Sequence, residues 1–199
     1  MLDLELTYIK RGDGTRTMFI PEEQKAAAIA FCRAGGTKTA AEIEELVVAG
    51  HNGFIDAIDG LTEAQAAHKP SPEDWSFLEL MGHVVSGKQI MGTLAAALAQ
   101  GTLPPGFGPT IETEAAQDGI TVTTFSTLAD ARAAAATAQA AMLAVIGTLD
   151  GQVDTERTFS HFYFGAFNSK EWCAFQRVHD DNHAQQSRAM RVSAGFPSA

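Results

Sequence analysis

Two histidines near the end of the chain, His179 and His183, have the spacing that places two side chains on one face of a helix. Residues four apart on an α-helix lie about one turn, or about 6 Å, apart along the axis, so both imidazole rings could reach one ion. Such pairs also occur by chance on helix surfaces or in packing contacts. The pair therefore predicts a metal site only together with a third ligand.

The third ligand has to precede this pair, because residues 184–199 contain no histidine, cysteine or acidic residue. His83 is the candidate that the pattern favours. It lies about two turns into a predicted helix whose apolar side carries Leu80, Val84 and Met91. A single inward-facing histidine is more often a hydrogen-bonded core residue than a ligand, so position alone leaves both interpretations open.

Other polar side chains are candidates for the surroundings of such a site. His51 lies at the edge of the apolar face of a predicted helix, where it could line a pocket or act as a proton shuttle, or could be a capped or solvent-facing ring. Glu79 and Asp180 could each accept a hydrogen bond from the second ring nitrogen of a ligand histidine, which would fix its tautomer, or could face solvent. His161 lies in an aromatic segment before the last helix, and the sequence favours neither a pocket-lining position nor one away from the pocket.

Apolar residues at spacings of three and four predict four long helices that carry these side chains. Ser76 followed by Glu79 has the pattern of a capping box, and Asn168 or Ser169 is the predicted cap of the last helix. Two irregular connections are predicted over residues 101–124 and 152–167. The predicted helices span about 39–61, 76–100, 128–149 and 169–192.

The N-terminal residues predict a different local structure. Alternating apolar and polar residues flank Asp13-Gly14, which is typical of a β-hairpin over residues 1–20. A short helix should follow from Pro21 until Gly35-Gly36. We therefore predict one all-α domain over residues 1–199, in which a four-helix bundle with a long crossover connection occupies residues 39–192.

Composition excludes several classes of partner. The chain has a net charge of -10 and lacks the basic cluster that nucleic acids require. That charge would also be repelled by anionic lipids, and no apolar run approaches the roughly 20 residues that span a bilayer. Asp3 and Glu5 stand where a secretion signal would be basic, so we expect a cytoplasmic protein. Cys32 and Cys173 are predicted to be buried, reduced thiols.

Two separated segments resemble the DinB-like family of metal-dependent helical-bundle proteins, which includes thiol transferases that act on small molecules. The first runs from Pro70 through Trp75-Ser76 to His83. The second comprises His161-Phe162-Tyr163-Phe164-Gly165 and then Trp172, Phe175, His179, His183 and Gln186. The resemblance covers about residues 40–192 and leaves out the predicted hairpin.

The resemblance implies that His83, His179 and His183 are ligands of one divalent metal ion. Trp75 and Gln186 match positions that support the site in the family. Three histidines leave coordination positions open to water or substrate, and imidazole ligands suit Zn²⁺ or Ni²⁺. Many members have a second histidine just before the last ligand, where this chain has Asn182, so any role of that neighbour is absent or altered here.

Two functions remain possible at this point. The first is a metal-dependent transferase or hydrolase that acts on a small molecule, with a low-molecular-weight thiol or a water activated by the metal. The second is a non-catalytic metal-binding or stress-related bundle, in which the ion cross-links helices. A homodimer is a further expectation, because the edge of the predicted hairpin could pair with a second copy.

Overall fold

The computed structural model describes residues 7–10, 16–72, 74–104, 123–151 and 153–198. These residues are mostly helical and contain six helices and two short antiparallel hairpins. The helices are α1 (Glu22–Gly35), α2 (Ala40–Ala57), α3 (Glu63–Ala67), α4 (Phe77–Ala99), α5 (Leu128–Ile146) and α6 (Ser169–Arg191). The strands are β1 (Thr7–Lys10), β2 (Arg16–Phe19), β3 (Phe159–His161) and β4 (Gly165–Phe167).

The N-terminal hairpin is confirmed, with β1 antiparallel to β2. Its predicted turn at Asp13-Gly14 lies outside the described residues. The second hairpin, β3 with β4, occupies a segment for which the sequence predicted only irregular structure. Strands of three residues are too short to display a clear alternation of apolar and polar side chains, so the sequence pattern missed them.

Capping boxes determine where the helices of the site begin. The Ser76 hydroxyl accepts a hydrogen bond from the backbone N–H of Glu79 at the start of α4, as predicted, and Asn168 does the same for Glu171 at the start of α6. The helix predicted to reach residue 61 ends earlier, at Ala57. The chain turns there, and Gly60 adopts a left-handed conformation with φ of 70°.

Side-chain contacts give the relative directions of the long helices. His83 of α4 meets His183 of α6, whereas Lys88, further along α4, meets Asp180, which comes earlier on α6. These two helices therefore run antiparallel. The contacts of α4 with α5 follow the opposite order. Lys88 bonds Gln139, and Gly92, further along α4, lies against Met142, which is further along α5. The helices α4 and α5 therefore run parallel. Parallel neighbours require a long return connection, and residues 105–122 of that connection lie outside the described residues.

The helices enclose an apolar core in which Phe54, Phe77, Leu80 and Met81 are almost completely buried. Burial of such side chains is the main favourable term in folding. Charged and strongly polar side chains rarely enter a core unless they have partners, so those found there are the informative ones. None of the described helices combines the length and the apolar character that a membrane crossing requires.

Candidate metal centre

Three histidines from α4 and α6 converge on one point. His83, His179 and His183 each offer one ring nitrogen, and these nitrogens lie within 4.8 Å of one another. The centroids of the His179 and His183 rings are 4.4 Å apart, and the His83 ring lies 4.8 Å from that of His183. His183 is buried, whereas His83 and His179 each retain some exposed surface. The group therefore could hold a metal ion.

The closest pair of nitrogens has the separation expected of two ligands on one ion. Nε2 of His83 and Nε2 of His179 are 3.2 Å apart. Imidazole nitrogens at about 2.0–2.1 Å from a tetrahedral ion lie about 3.3 Å from each other. Lone pairs that face each other at this distance repel unless a proton or a cation lies between them. A shared proton links only two rings, whereas a cation also uses the third, so the donor set fits a metal ion.

The tautomer of His183 suits this arrangement. Its Nδ1 lies 2.9 Å from Oε1 of Gln186, three residues along the same helix. An amide oxygen only accepts hydrogen bonds, so Nδ1 of His183 carries the proton and donates it. The lone pair is then on Nε2, where an ion would bind. Gln186 is therefore a hydrogen-bond partner of a candidate metal ligand on the same helix.

Burial keeps the ligand rings neutral. It lowers the pKa of His83 from 6.5 to about 3, with the nearby His183 as a smaller cause. Burial lowers the pKa of His183 to about 4, although its bond to Gln186 acts in the opposite direction. The pKa of His179 lies well below its usual value, again mainly through burial. Neutral imidazoles have a free lone pair, so all three can bind a metal at neutral pH.

Trp75 and Gly87 shape the walls of the centre. The ring of Trp75 lies 4.8 Å from that of His83 and is tilted by 39° to it. Gly87 lies against the ring of His179, since a Cβ there would be 3.1 Å from Cε1 and 3.3 Å from Nε2 of that ring. The sequence analysis missed Gly87. A glycine inside a helix costs about 0.5–1 kcal/mol relative to alanine, and that cost could have indicated a close approach.

His161 lies beside the ligands and is not part of the three-histidine group. Its Nδ1 accepts hydrogen bonds from the backbone N–H groups of Tyr163 and Phe164, at 3.0 and 3.3 Å, so the ring proton is on Nε2. The ring packs at 5.1 Å from that of Phe175, which is one turn before His179 on α6. Burial lowers the pKa of His161 to about 3, so this ring is also neutral.

The structure does not bring the two candidate acids to a ligand ring. Glu79 caps α4 through the backbone N–H of Ser76 and accepts a hydrogen bond from Lys69. Asp180 bonds Lys88 and Gln176 instead of a histidine. Successive residues on a helix point about 100° apart, so the carboxylate of Asp180 is directed away from the ring of His179.

A buried cation next to the centre was missed by the sequence analysis. Lys88 is 2% exposed, and its ammonium lies 3.0 Å from the fully buried Asp180. It also lies 2.8 Å from Oε1 of Gln139 and 3.3 Å from Nδ1 of His51. These four side chains come one each from α4, α6, α5 and α2. Because burial and the neighbouring Lys88 lower the pKa of His51 to about 4, its ring is neutral and accepts from the ammonium.

The comparison with known families agrees with these features. The family model described as DinB superfamily matches residues 47–187. The chain belongs to the DinB superfamily. A comparison with curated proteins found no match, and neither did a comparison with solved structures. The sequence resemblance is therefore confirmed at the level of the superfamily.

The part of the chain that matches the DinB superfamily contains every residue of the candidate centre. All three histidines and both members of the Lys88–Asp180 pair lie within residues 47–187, whereas β1, β2 and α1 precede them. Asn182, at the position where the resemblance implied a histidine in many members, is buried and directly precedes the candidate ligand His183. The superfamily match and the three-histidine geometry thus point to the same helices.

Proposed function

We propose that this DinB-superfamily chain is a metal-dependent enzyme that transfers or hydrolyses a group on a small molecule. The observation that carries the proposal is an incomplete ligand set. Among the described residues, the group contains three histidines and no fourth histidine, cysteine or acid. Three protein ligands leave at least one coordination position for water or substrate, which distinguishes catalytic zinc sites from closed structural ones.

A bound Zn²⁺ or Ni²⁺ would lower the pKa of a water or thiol at that position toward neutral. The protein's part is to supply neutral ligands and an accessible side. His83 and His179 are both only partly buried, while Gln186 holds the ring of His183 in one tautomer. Trp75, half-buried with its ring tilted by 39° to that of His83, provides an aromatic surface against which a small molecule could lie.

If the nucleophile is a thiol, it comes from outside the chain. Cys32 and Cys173 are buried, and neither belongs to the three-histidine group. Burial raises the pKa of Cys173 to about 12 and that of Cys32 further, so both remain protonated thiols. A low-molecular-weight thiol would lose its proton to solvent, form a bond to an electrophilic carbon of the substrate and displace the leaving group.

The proposal also includes the architecture, the location, the partners and the oligomeric state that the sequence predicted. The four long helices α2, α4, α5 and α6 would form a bundle of the DinB type with one long crossover. The chain would act on a small molecule in the cytoplasm, without nucleic acid or membrane. A homodimer is the oligomer that we expect.

Metal analysis of protein purified without an affinity tag tests the metal centre. We expect about one equivalent of Zn²⁺ or Ni²⁺ in the parent and little in His83→Ala, His179→Ala and His183→Ala. His68→Ala is the matched control, because His68 lies outside the three-histidine group and packs against Phe196. A parent that holds no metal after reconstitution with either ion would refute the centre.

Turnover tests the enzymatic part of the proposal. The metal-loaded parent should accelerate the reaction of a low-molecular-weight thiol with an aryl chloride, followed as chloride release, or the hydrolysis of an activated ester. The three alanine variants should lose that acceleration, and His68→Ala should retain it. Tight metal binding with no open coordination position would instead favour the non-catalytic role, in which the ion cross-links α4 and α6.

A further inference from the structure

We infer that Gln176 is the residue that orients the metal ligand His179, through a single water bound between its amide oxygen and Nδ1 of the histidine. The inference rests on the proposed metal centre. It assigns a positioning role to a residue that neither the sequence pattern nor the superfamily match singles out.

The first observation is that only one of the two candidate ligands on α6 has a hydrogen-bond partner for its Nδ1 atom. Nδ1 of His183 has a partner in Gln186, at 2.9 Å. Nδ1 of His179 is buried and has no hydrogen-bond partner among the described residues. With Nε2 of His179 directed at the centre, its neutral ring carries the proton on Nδ1. A buried donor without a partner costs about 1–3 kcal/mol, so a missing acceptor is expected here.

The second observation is a buried acceptor that also has no hydrogen-bond partner. Gln176 is fully buried, and its Oε1 has no partner among the described residues. The orientation of its amide is fixed by Asp180, because Nε2 of Gln176 donates to Oδ1 of that carboxylate at 2.7 Å. A flipped amide would place two acceptors against each other. The unpartnered atom is therefore the oxygen.

The third observation is the position of these two atoms along the chain. Gln176 precedes His179 by three residues on α6, and residues three apart share one face of a helix. The same spacing separates His183 from Gln186. A buried donor and a buried acceptor thus lie on one turn without a direct bond. A water between them satisfies both, as buried waters commonly do for polar groups of this kind.

The fourth observation is that Gln176 is itself held in place. Through Asp180 it is connected to Lys88, whose ammonium also bonds Gln139 and His51. The acceptor for His179 is therefore fixed by side chains from the other long helices. A ligand ring whose outer nitrogen has a fixed acceptor is held in one tautomer and orientation, which strengthens metal binding.

Zinc affinity of two matched variants tests this role. Gln176→Met keeps the length of the side chain and removes the acceptor, so we expect Zn²⁺ binding to weaken about 10–100-fold in competition with a chromophoric chelator. Gln176→Glu, protonated in this buried position, keeps an acceptor and a donor, and should bind within about threefold of the parent. Gln65→Met is the control, because Gln65 is another buried amide, lies on α3, and bonds the backbone carbonyl of Pro197 instead of the Lys88 network.

A spectroscopic measurement on the parent keeps the test independent of the folding of any variant. In zinc-loaded protein with ¹⁵N-labelled histidine, His179 should show a proton on Nδ1 that is protected from exchange. Gln176→Met should lose that protection, and Gln65→Met should keep it.

The outcomes separate this inference from the proposed centre. A parent that binds no Zn²⁺ overturns both. A parent that binds Zn²⁺ while Gln176→Met binds it equally well overturns the inference alone. The inference alone is also overturned if Gln65→Met weakens Zn²⁺ binding as much as Gln176→Met does, or if the parent shows no protected proton on Nδ1 of His179.

Discussion

Removal of the buried ammonium of Lys88 should destabilise the protein far more than removal of an exposed one. Lys88→Met leaves the carboxylate of Asp180, which is 0% exposed, without its cation at 3.0 Å. Breaking one side of a buried ion pair typically costs about 3–5 kcal/mol. Typical domains have only about 5–15 kcal/mol of stability, so the variant should fold but have much less resistance to denaturant.

A double-mutant cycle tests the physical reason. Asp180→Leu leaves a buried ammonium and should lose a similar amount of stability, whereas Lys88→Met with Asp180→Leu removes both charges and should lose about 0–2 kcal/mol. The assay is urea unfolding of metal-free protein at pH 7. Lys38→Met is the matched control, because its pair with Glu42 at 3.6 Å is solvent-exposed, and we expect a change of at most about 1 kcal/mol.

Two results would refute this reasoning. Additive losses in the double variant would mean that the two side chains are not energetically coupled. A loss below about 1 kcal/mol for Lys88→Met, similar to that of the exposed control, would mean that the ammonium is not desolvated in the folded protein.

Three further predictions concern the ligand rings and the helix that carries two of them. Gly87→Ala should weaken Zn²⁺ binding at least about tenfold, because its Cβ would lie 3.1 Å from the ring of His179. Its metal-free stability should not fall, since alanine is the better helix former, and Gly92→Ala, with no contact closer than 3.9 Å, should bind zinc normally. Metal-free protein should be most stable above pH 6.5 and should lose stability down to about pH 4 for His183 and about pH 3 for His83, because the unfolded chain protonates its histidines in this range and the folded chain does not. Between these pH values urea unfolding should give a slope of up to about 1.4 kcal/mol per pH unit for each buried histidine, and a flat profile would contradict the assigned pKa shifts. Asn168→Ala should cost about 1 kcal/mol in thermal unfolding by removing the cap on Glu171, whereas an unchanged melting temperature would show that the cap contributes nothing.

Local sequence patterns predicted the helices of the site well. Ser76 with Glu79 marked the start of α4, and the four-residue spacing of His179 and His183 placed two ligands on one face of α6. Capping and helical spacing act over a few residues, so a single sequence contains them. The β3–β4 hairpin was missed because strands of three residues are too short to show an alternation of apolar and polar side chains.

The buried polar residues were harder to predict because their partners are distant in sequence. Lys88 is the only charged residue between Leu80 and Gln100. That isolation within an apolar helix indicates a buried partner, but it does not name one. Asp180 lies 92 residues away, and only the packing of α4 against α6 brings the two together.

The sequence by itself determined the elements of this protein: where its long helices begin, which faces are apolar, and which histidine pair shares a turn. Tertiary structure alone decided that His83 meets that pair, that Gly87 leaves room for the ring of His179, and that Lys88 joins side chains from α2, α5 and α6. The reason is the range of the forces involved. Caps and helical periodicity depend on neighbouring residues, whereas burial, ion pairing and ligand geometry depend on which helix faces pack against each other.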